Sequence, residues 1–220
     1  MMLNIKENIE EIVKTLPEGV RLIAVSKTKP VEYIEEAYAG GQRAFGENRP
    51  QEMAAKYRQL PKDIEWHMIG QLQEKNVKYI ASFVKLIHSV DSLKLLQKID
   101  REALKNERMI DCLLEFHIAE EETKSGIHEE ELADFLEAMA DYPHLRIQGL
   151  MTIGPHVEAP EEIRPVFAEL RKLYEREKQR DLPHLDFRFL SMGMSYDSPI
   201  AVEEGANIVR VGSSIFGARN

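Results

Sequence analysis

Short apolar runs alternate with amphipathic stretches along the whole of the 220-residue chain. The first stretch places Ile5, Ile9, Ile12, Val13 and Leu16 at helical spacing, and Pro17-Glu18-Gly19 stops it. Runs of strand length then recur at residues 21–25, 43–46, 64–69, 85–90, 110–118, 145–153, 187–192 and 207–211. Helical patterns fall between them near 31–39, 49–59, 73–82, 92–107, 129–140, 162–179 and 198–205. Asp91-Ser92 reads as a helix start, and Pro160 and Pro165 fit only a helix entry or first turn.

Strict alternation of strand and helix implies a parallel sheet covered by helices. Eight strands suit an α/β fold closed as a (β/α)₈ TIM-like barrel, a single domain spanning 1–220 with an extra N-terminal helix. Few residues follow the eighth strand, so the N-terminal helix is expected to stand in for the last barrel helix. The competing architecture is an open doubly wound sheet. It calls for a Gly-rich turn after the first strand, which Val25-Ser26-Lys27-Thr28 does not provide.

Composition narrows the partners. A formal net charge of −9 and the lack of a Lys/Arg-rich block argue against nucleic acid or an anionic membrane. No apolar run approaches the roughly 20 residues of a membrane helix, and the N-terminus is too acidic for a secretory signal. The single cysteine, Cys112, lies in the apolar run Ile110–Leu114 and reads as a small core residue. The cytoplasm is the expected compartment. The acidic runs Glu120-Glu121-Glu122 and Glu129-Glu130-Glu131 read as solvated helix faces or starts.

In a barrel, binding and catalytic groups come from the carboxyl ends of the strands. Those ends carry Lys27, Glu47-Asn48, His67 with Gly70, His88, His117, Met151, the run Ser191-Met192-Gly193-Met194-Ser195, and Gly212-Ser213-Ser214. A lysine at a buried strand's mouth is partly desolvated, which favours the neutral amine that attacks an aldehyde; the plainer alternative is a side chain that reaches solvent. The period-two rule puts Ile208, Arg210 and Gly212 on one face of the last strand. If that face is interior, Arg210 lies on the floor of a central pocket, or else it is a structural arginine paired with a carboxylate such as Glu115. The loops after strands seven and eight supply glycines and hydroxyls where barrels bind phosphate, although Gly/Ser turns are also common for ordinary reasons. Lysine, arginine and a phosphate cradle together suggest pyridoxal 5′-phosphate (PLP). His67, His88 and His117 end three adjacent strands as metal ligands could, but no His-x-His pair or nearby Asp completes a set, so no metal is expected. His128, His144, His156 and His184 fall in loops and helix starts and read as solvated.

These residues resemble the pyridoxal phosphate homeostasis proteins, PLP-binding relatives of the alanine racemase N-terminal barrel. The resemblance rests on Ala24–Pro30, Phe45-Gly46-Glu47-Asn48 with Gln51-Glu52, Trp66–Gly70, Lys124-Ser125-Gly126 and Gly149-Leu150-Met151. It continues through Ser191–Ser195 with Asp197, then Val209–Gly212, Ile215-Phe216-Gly217 and Arg219. It implies that Lys27 carries PLP as a Schiff base and that Arg210 faces the pyridine nitrogen. Ser195, Gly212 and Ser213 would hold the phosphate, with Asn48, His67 and Met192 lining the pocket. Pro199 interrupts the family's spacing after Asp197 and is expected to tilt the following helix.

The resemblance also implies a limit on activity. Alanine racemase brings a tyrosine from a second domain to the far face of the cofactor, and no counterpart is read in the 220 residues here. The implied role is a monomeric PLP carrier and regulator of PLP, amino-acid and keto-acid balance, with PLP-dependent apoenzymes as recipients. Lys27 is its one chemically committed group. The alternative is a weak PLP-dependent amino-acid racemase or another carbanion-forming enzyme.

Overall fold

Eight parallel strands close on themselves in chain order: β1 (Arg21–Val25), β2 (Ala44–Glu47), β3 (Glu65–Met68), β4 (Leu86–Val90), β5 (Ile110–Phe116), β6 (Leu145–Thr152), β7 (Leu185–Ser191) and β8 (Ile208–Val211). Closure is carried by β1 against β8, with Ile23 beside Arg210 and Ala24 beside Val211. This computed structural model describes residues 4–118, 126–155 and 157–217. Glu120-Glu121-Glu122, Lys124, Ser125, His156 and Arg219 lie outside the described residues.

Helices α2 (Val31–Ala39), α3 (Pro50–Gln59), α4 (Leu93–Lys105), α5 (Glu129–Glu137), α6 (Arg164–Glu177) and α7 (Ser198–Glu203) cover the outside. The N-terminal helix α1 (Ile5–Thr15) packs between α2 and the one-turn α8 (Ser213–Phe216). Asn8 Nδ2 donates to the Ile215 carbonyl at 2.9 Å and the Ile5 N–H to Glu36 at 2.9 Å, so α1 occupies the place of a full-length last helix. Ser92 caps α4, accepting from the Leu95 N–H. Pro160 opens a 3₁₀ turn and Pro165 sits in the first turn of α6, where its missing N–H costs no helical bond. Pro199 occupies the same kind of position in α7 and is accommodated there.

The helix expected near 73–82 is instead a 3₁₀ helix, Glu74–Tyr79. Val77 and Ile80 are buried three residues apart, the period of a 3₁₀ turn, and the short β3–β4 crossover leaves room for little more.

Period-two alternation divides the core into two layers. Leu22, Ala24, Phe45, Trp66, Ile87, Cys112, Leu114, Leu150 and Val209 face the helices. Ile23, Ala44, Leu86, Leu113, Met151 and Ile208 form a separate apolar cluster inside the barrel, with Phe189 against it. Side chains thus fill the barrel below, and its carboxyl end opens into a cavity.

Candidate functional site

Two residues beyond β1 the chain makes a tight turn, closed by the Lys29 N–H donating to the Ser26 carbonyl at 3.0 Å. Lys27 and Thr28 are its central residues, and Thr28 has φ of 63°. Lys27 lines a cavity of about 360 Å³ at the carboxyl end of the barrel, together with Asn48, Ser195, Arg210, Gly212 and Ser213. That volume lies within the roughly 300–1,000 Å³ of small-molecule sites. Val25, Ile69, Ile153 and Met194 supply its apolar wall, and Lys29 and Tyr196 stand at its edge.

Close approach builds the walls. A Cβ on Gly70 would lie 2.8 Å from the Asn48 Cα, so only glycine lets Asn48 sit where β2 ends. Gly193 has φ of 91°, and a Cβ there would meet the Ala201 Cβ at 2.5 Å. Its turn is therefore pressed onto α7, and the Arg210 N–H donates to the Gly193 carbonyl at 3.0 Å. The Gly212 N–H donates to Ser195 Oγ at 3.3 Å, tying the last two loops together and leaving the Ser195 hydroxyl hydrogen to donate elsewhere.

The floor of the cavity is a buried polar chain. Arg210 Nη1 donates to Ser191 Oγ at 2.7 Å and Nη2 to the Thr152 carbonyl at 2.9 Å. His88 Nδ1 is 3.0 Å from Ser191 Oγ, and His88 Nε2 is 2.9 Å from His67 Nδ1. A guanidinium only donates, so Ser191 Oγ accepts from Arg210, while the tautomer of His88 sets the direction of the Ser191–His88 bond. The tautomers likewise set the direction of the His88–His67 bond, and His67 Nε2 is buried with no hydrogen-bond partner among the described residues. Burial and the neighbouring cations hold both rings neutral: His67 is lowered to about 3 and His88 well below its ordinary value. Burial also lowers Arg210 to about 10, against the fields of Glu115 and Asp197, so it remains charged at neutral pH.

Six of the eight residues expected at the site thus share one cavity, and two do not. His67 is fully buried one layer below, bonded to His88, and Met192 packs in the helix-facing core. Period two explains the second: Ser191 points into the barrel, so Met192 must point out. Sequence position alone marks neither Ser191 nor His88 as a partner of Arg210. Both belong to the polar residues near strand ends, but His88 on β4 lies across the barrel from Arg210 on β8, so only closure of the barrel brings it to Ser191. His117 stands apart from the polar chain, edge-on to His128.

A third cluster lies behind Lys27. Lys56, only 5 % exposed, donates to the Ser26 carbonyl at 2.9 Å, Glu47 Oε1 at 2.8 Å and Glu52 Oε1 at 2.7 Å. Burial pushes the Glu47 carboxyl up, with Lys56 opposing.

Comparison with known proteins places this geometry. Residues 2–220 match the family described as alanine racemase, N-terminal domain. The chain is 45% identical over 203 residues to the pyridoxal phosphate homeostasis protein of Aquifex aeolicus (strain VF5), covering 90% of this chain and 87% of that one. The structure of PipY from Synechococcus elongatus PCC7942 with PLP bound superimposes with a TM-score of 0.89 at 38% identity, covering 97% of this chain and 100% of the other. An alanine racemase from Clostridium difficile 630 has the same fold, with a TM-score of 0.77 at 16% identity over 98% of this chain and 57% of the other.

Proposed function

Since the chain belongs to the alanine racemase N-terminal domain family, and within it to the pyridoxal phosphate homeostasis proteins, we propose that its cavity holds PLP and that it acts in PLP homeostasis. The observation that carries this reading is the convergence of Lys27, Arg210, Ser195, Gly212 and Ser213 on one cavity. The donor set fits the cofactor group by group. Lys27 offers a primary amine for an aldehyde. Arg210 offers a charged donor for a ring nitrogen, and Ser195 and Ser213 offer hydroxyls for a phosphate. When bound, PLP supplies an aldehyde that condenses reversibly with amines and a ring that withdraws electrons from what is attached to it.

The residues divide the work. Lys27 would hold the cofactor through its amine, and the aldehyde would supply a reversible condensation with release of water that a competing amine could undo. Arg210, fixed by Ser191 and Thr152, has no lone pair with which to accept a hydrogen bond and would hold a ring nitrogen in its unprotonated form. That choice favours holding the cofactor over carbanion chemistry. Racemisation needs an acid and a base on opposite faces of a substrate carbon. Tyr196, at the cavity's edge, is 60% exposed and spends its hydroxyl hydrogen on the Glu158 carbonyl at 3.1 Å. The protein is accordingly a carrier, with PLP-dependent apoenzymes as recipients. The working form we assign is a monomer. No helix among the described residues is long and apolar enough to cross a membrane, and the cytoplasm is the compartment we assign.

Borohydride treatment of the PLP-loaded protein should fix the label on Lys27, and loaded protein should pass PLP to an added apoenzyme. Label on another lysine would move the site. Rapid multiple-turnover racemisation or decarboxylation of a common amino acid, abolished by Lys27→Ala, would replace the carrier with an enzyme.

A further inference from the structure

Thr28 is a β-branched residue held at φ of 63°, in a region such residues rarely occupy. Strain of this kind persists only where the surroundings over-determine the backbone. Here they do so on both sides of Lys27. The Thr28 N–H donates to Glu52 Oε1 at 2.7 Å. On the other side the Ser26 N–H donates to the Gly46 carbonyl at 3.0 Å, Ser26 Oγ to Glu47 Oε1 at 2.6 Å, and the Ser26 carbonyl accepts from Lys56 at 2.9 Å.

One side chain joins the two halves. The three ammonium hydrogens of Lys56 go one each to the Ser26 carbonyl, Glu47 and Glu52, so its donor capacity is fully spent. The cluster is expensive, because buried charges must be desolvated and apolar residues could fill the same space. Glu47 Oε2 is buried with no hydrogen-bond partner among the described residues. None of Lys56, Glu47 and Glu52 lines the cavity, so their effect on it passes through the backbone of the turn.

We infer that Lys56, with Glu52 and Glu47, is a positioning element that fixes the strained turn and thereby aims Lys27 into the cavity. The inference rests on the proposed role of Lys27 as the amine that bonds the cofactor's aldehyde. A side chain at a turn with loosened neighbours samples solvent and meets the aldehyde less often, while the phosphate loops, built on β7 and β8, are untouched.

The test separates those two effects. Glu52→Ala, Lys56→Met and Glu52→Gln are each compared with the wild type in two measurements. The first is the rate of PLP attachment at Lys27, trapped with borohydride and located by peptide mapping. The second is the affinity for pyridoxine 5′-phosphate, which carries an alcohol in place of the aldehyde and reads the cavity without attachment. Glu52→Ala and Lys56→Met should slow attachment at least tenfold and leave pyridoxine 5′-phosphate affinity within twofold. Glu52→Gln keeps an acceptor oxygen and should stay near wild type. Glu52 is partly exposed, so its variants keep the test open if Lys56→Met fails to fold. Attachment unchanged in Glu52→Ala, or a parallel loss of both readouts, overturns the inference. Wild-type protein unlabelled at Lys27 overturns the reading of the site, and the inference with it.

Discussion

Ser191→Ala tests whether the cavity floor is one connected structure. The hydroxyl is fully buried and bonds on two sides, to the Arg210 guanidinium at 2.7 Å and to His88 Nδ1 at 3.0 Å. A bond to a charged group contributes about 1.5–3 kcal/mol and a neutral one about 0.5–1.5 kcal/mol. Arg210 keeps its bond to the Thr152 carbonyl, so its charge is not left wholly unpaired. The expected loss is therefore roughly 2–4.5 kcal/mol, which at about 1.4 kcal/mol per tenfold lowers the folding equilibrium roughly 30- to 2,000-fold. Urea unfolding of the cofactor-free protein, followed by circular dichroism, measures this directly. Ser213→Ala serves as the control, because Ser213 is exposed and surface changes stay within about 0.5 kcal/mol. A loss below about 1 kcal/mol in Ser191→Ala would refute the idea that the hydroxyl links arginine to histidine.

Acid should weaken the fold before most carboxylates titrate. His67 is held at about 3 in the folded protein and titrates near 6.5 when unfolded, so between those values the unfolded chain binds a proton the native one refuses. Stability is complete above roughly pH 6.5 and falls as pH drops, by about 1.4 kcal/mol per unit for His67 and in the same direction for His88. A urea midpoint that does not change between pH 7 and pH 5.5 contradicts burial of neutral rings. Ser195→Ala should weaken PLP binding roughly tenfold or more, and pyridoxal should bind poorly, since hydrogen bonds to a charged group contribute about 1.5–3 kcal/mol each. Equal affinities for pyridoxal and PLP in equilibrium dialysis would place the phosphate elsewhere. Gly193→Ala forces a Cβ to 2.5 Å from the Ala201 Cβ at a positive φ and should cost about 1–3 kcal/mol. A thermal midpoint equal to wild type would show that the turn can lift off α7.

The barrel was legible in the sequence because hydrophobic periodicity is a local property: eight short runs alternating with helical patterns leave few topologies, and all eight strands appear in the expected order. The same locality made Lys27, Arg210 and the two Gly/Ser loops readable, since each falls where a strand ends. Tertiary structure alone decided which of these residues meet. Met192 and Ser191 are adjacent in sequence and face opposite layers, and His67 lies beneath the cavity because it pairs with His88 on the next strand. Glu52 and Lys56 show the limit most clearly. An i,i+4 pair of opposite charges ordinarily reads as an exposed helix face. Only the packing of α3 against the ends of β1 and β2 buries Lys56 and brings it to the carbonyl of Ser26, 30 positions earlier in the chain. Periodicity records which face of an element is apolar. It carries no information about which polar group another element will bring against that face.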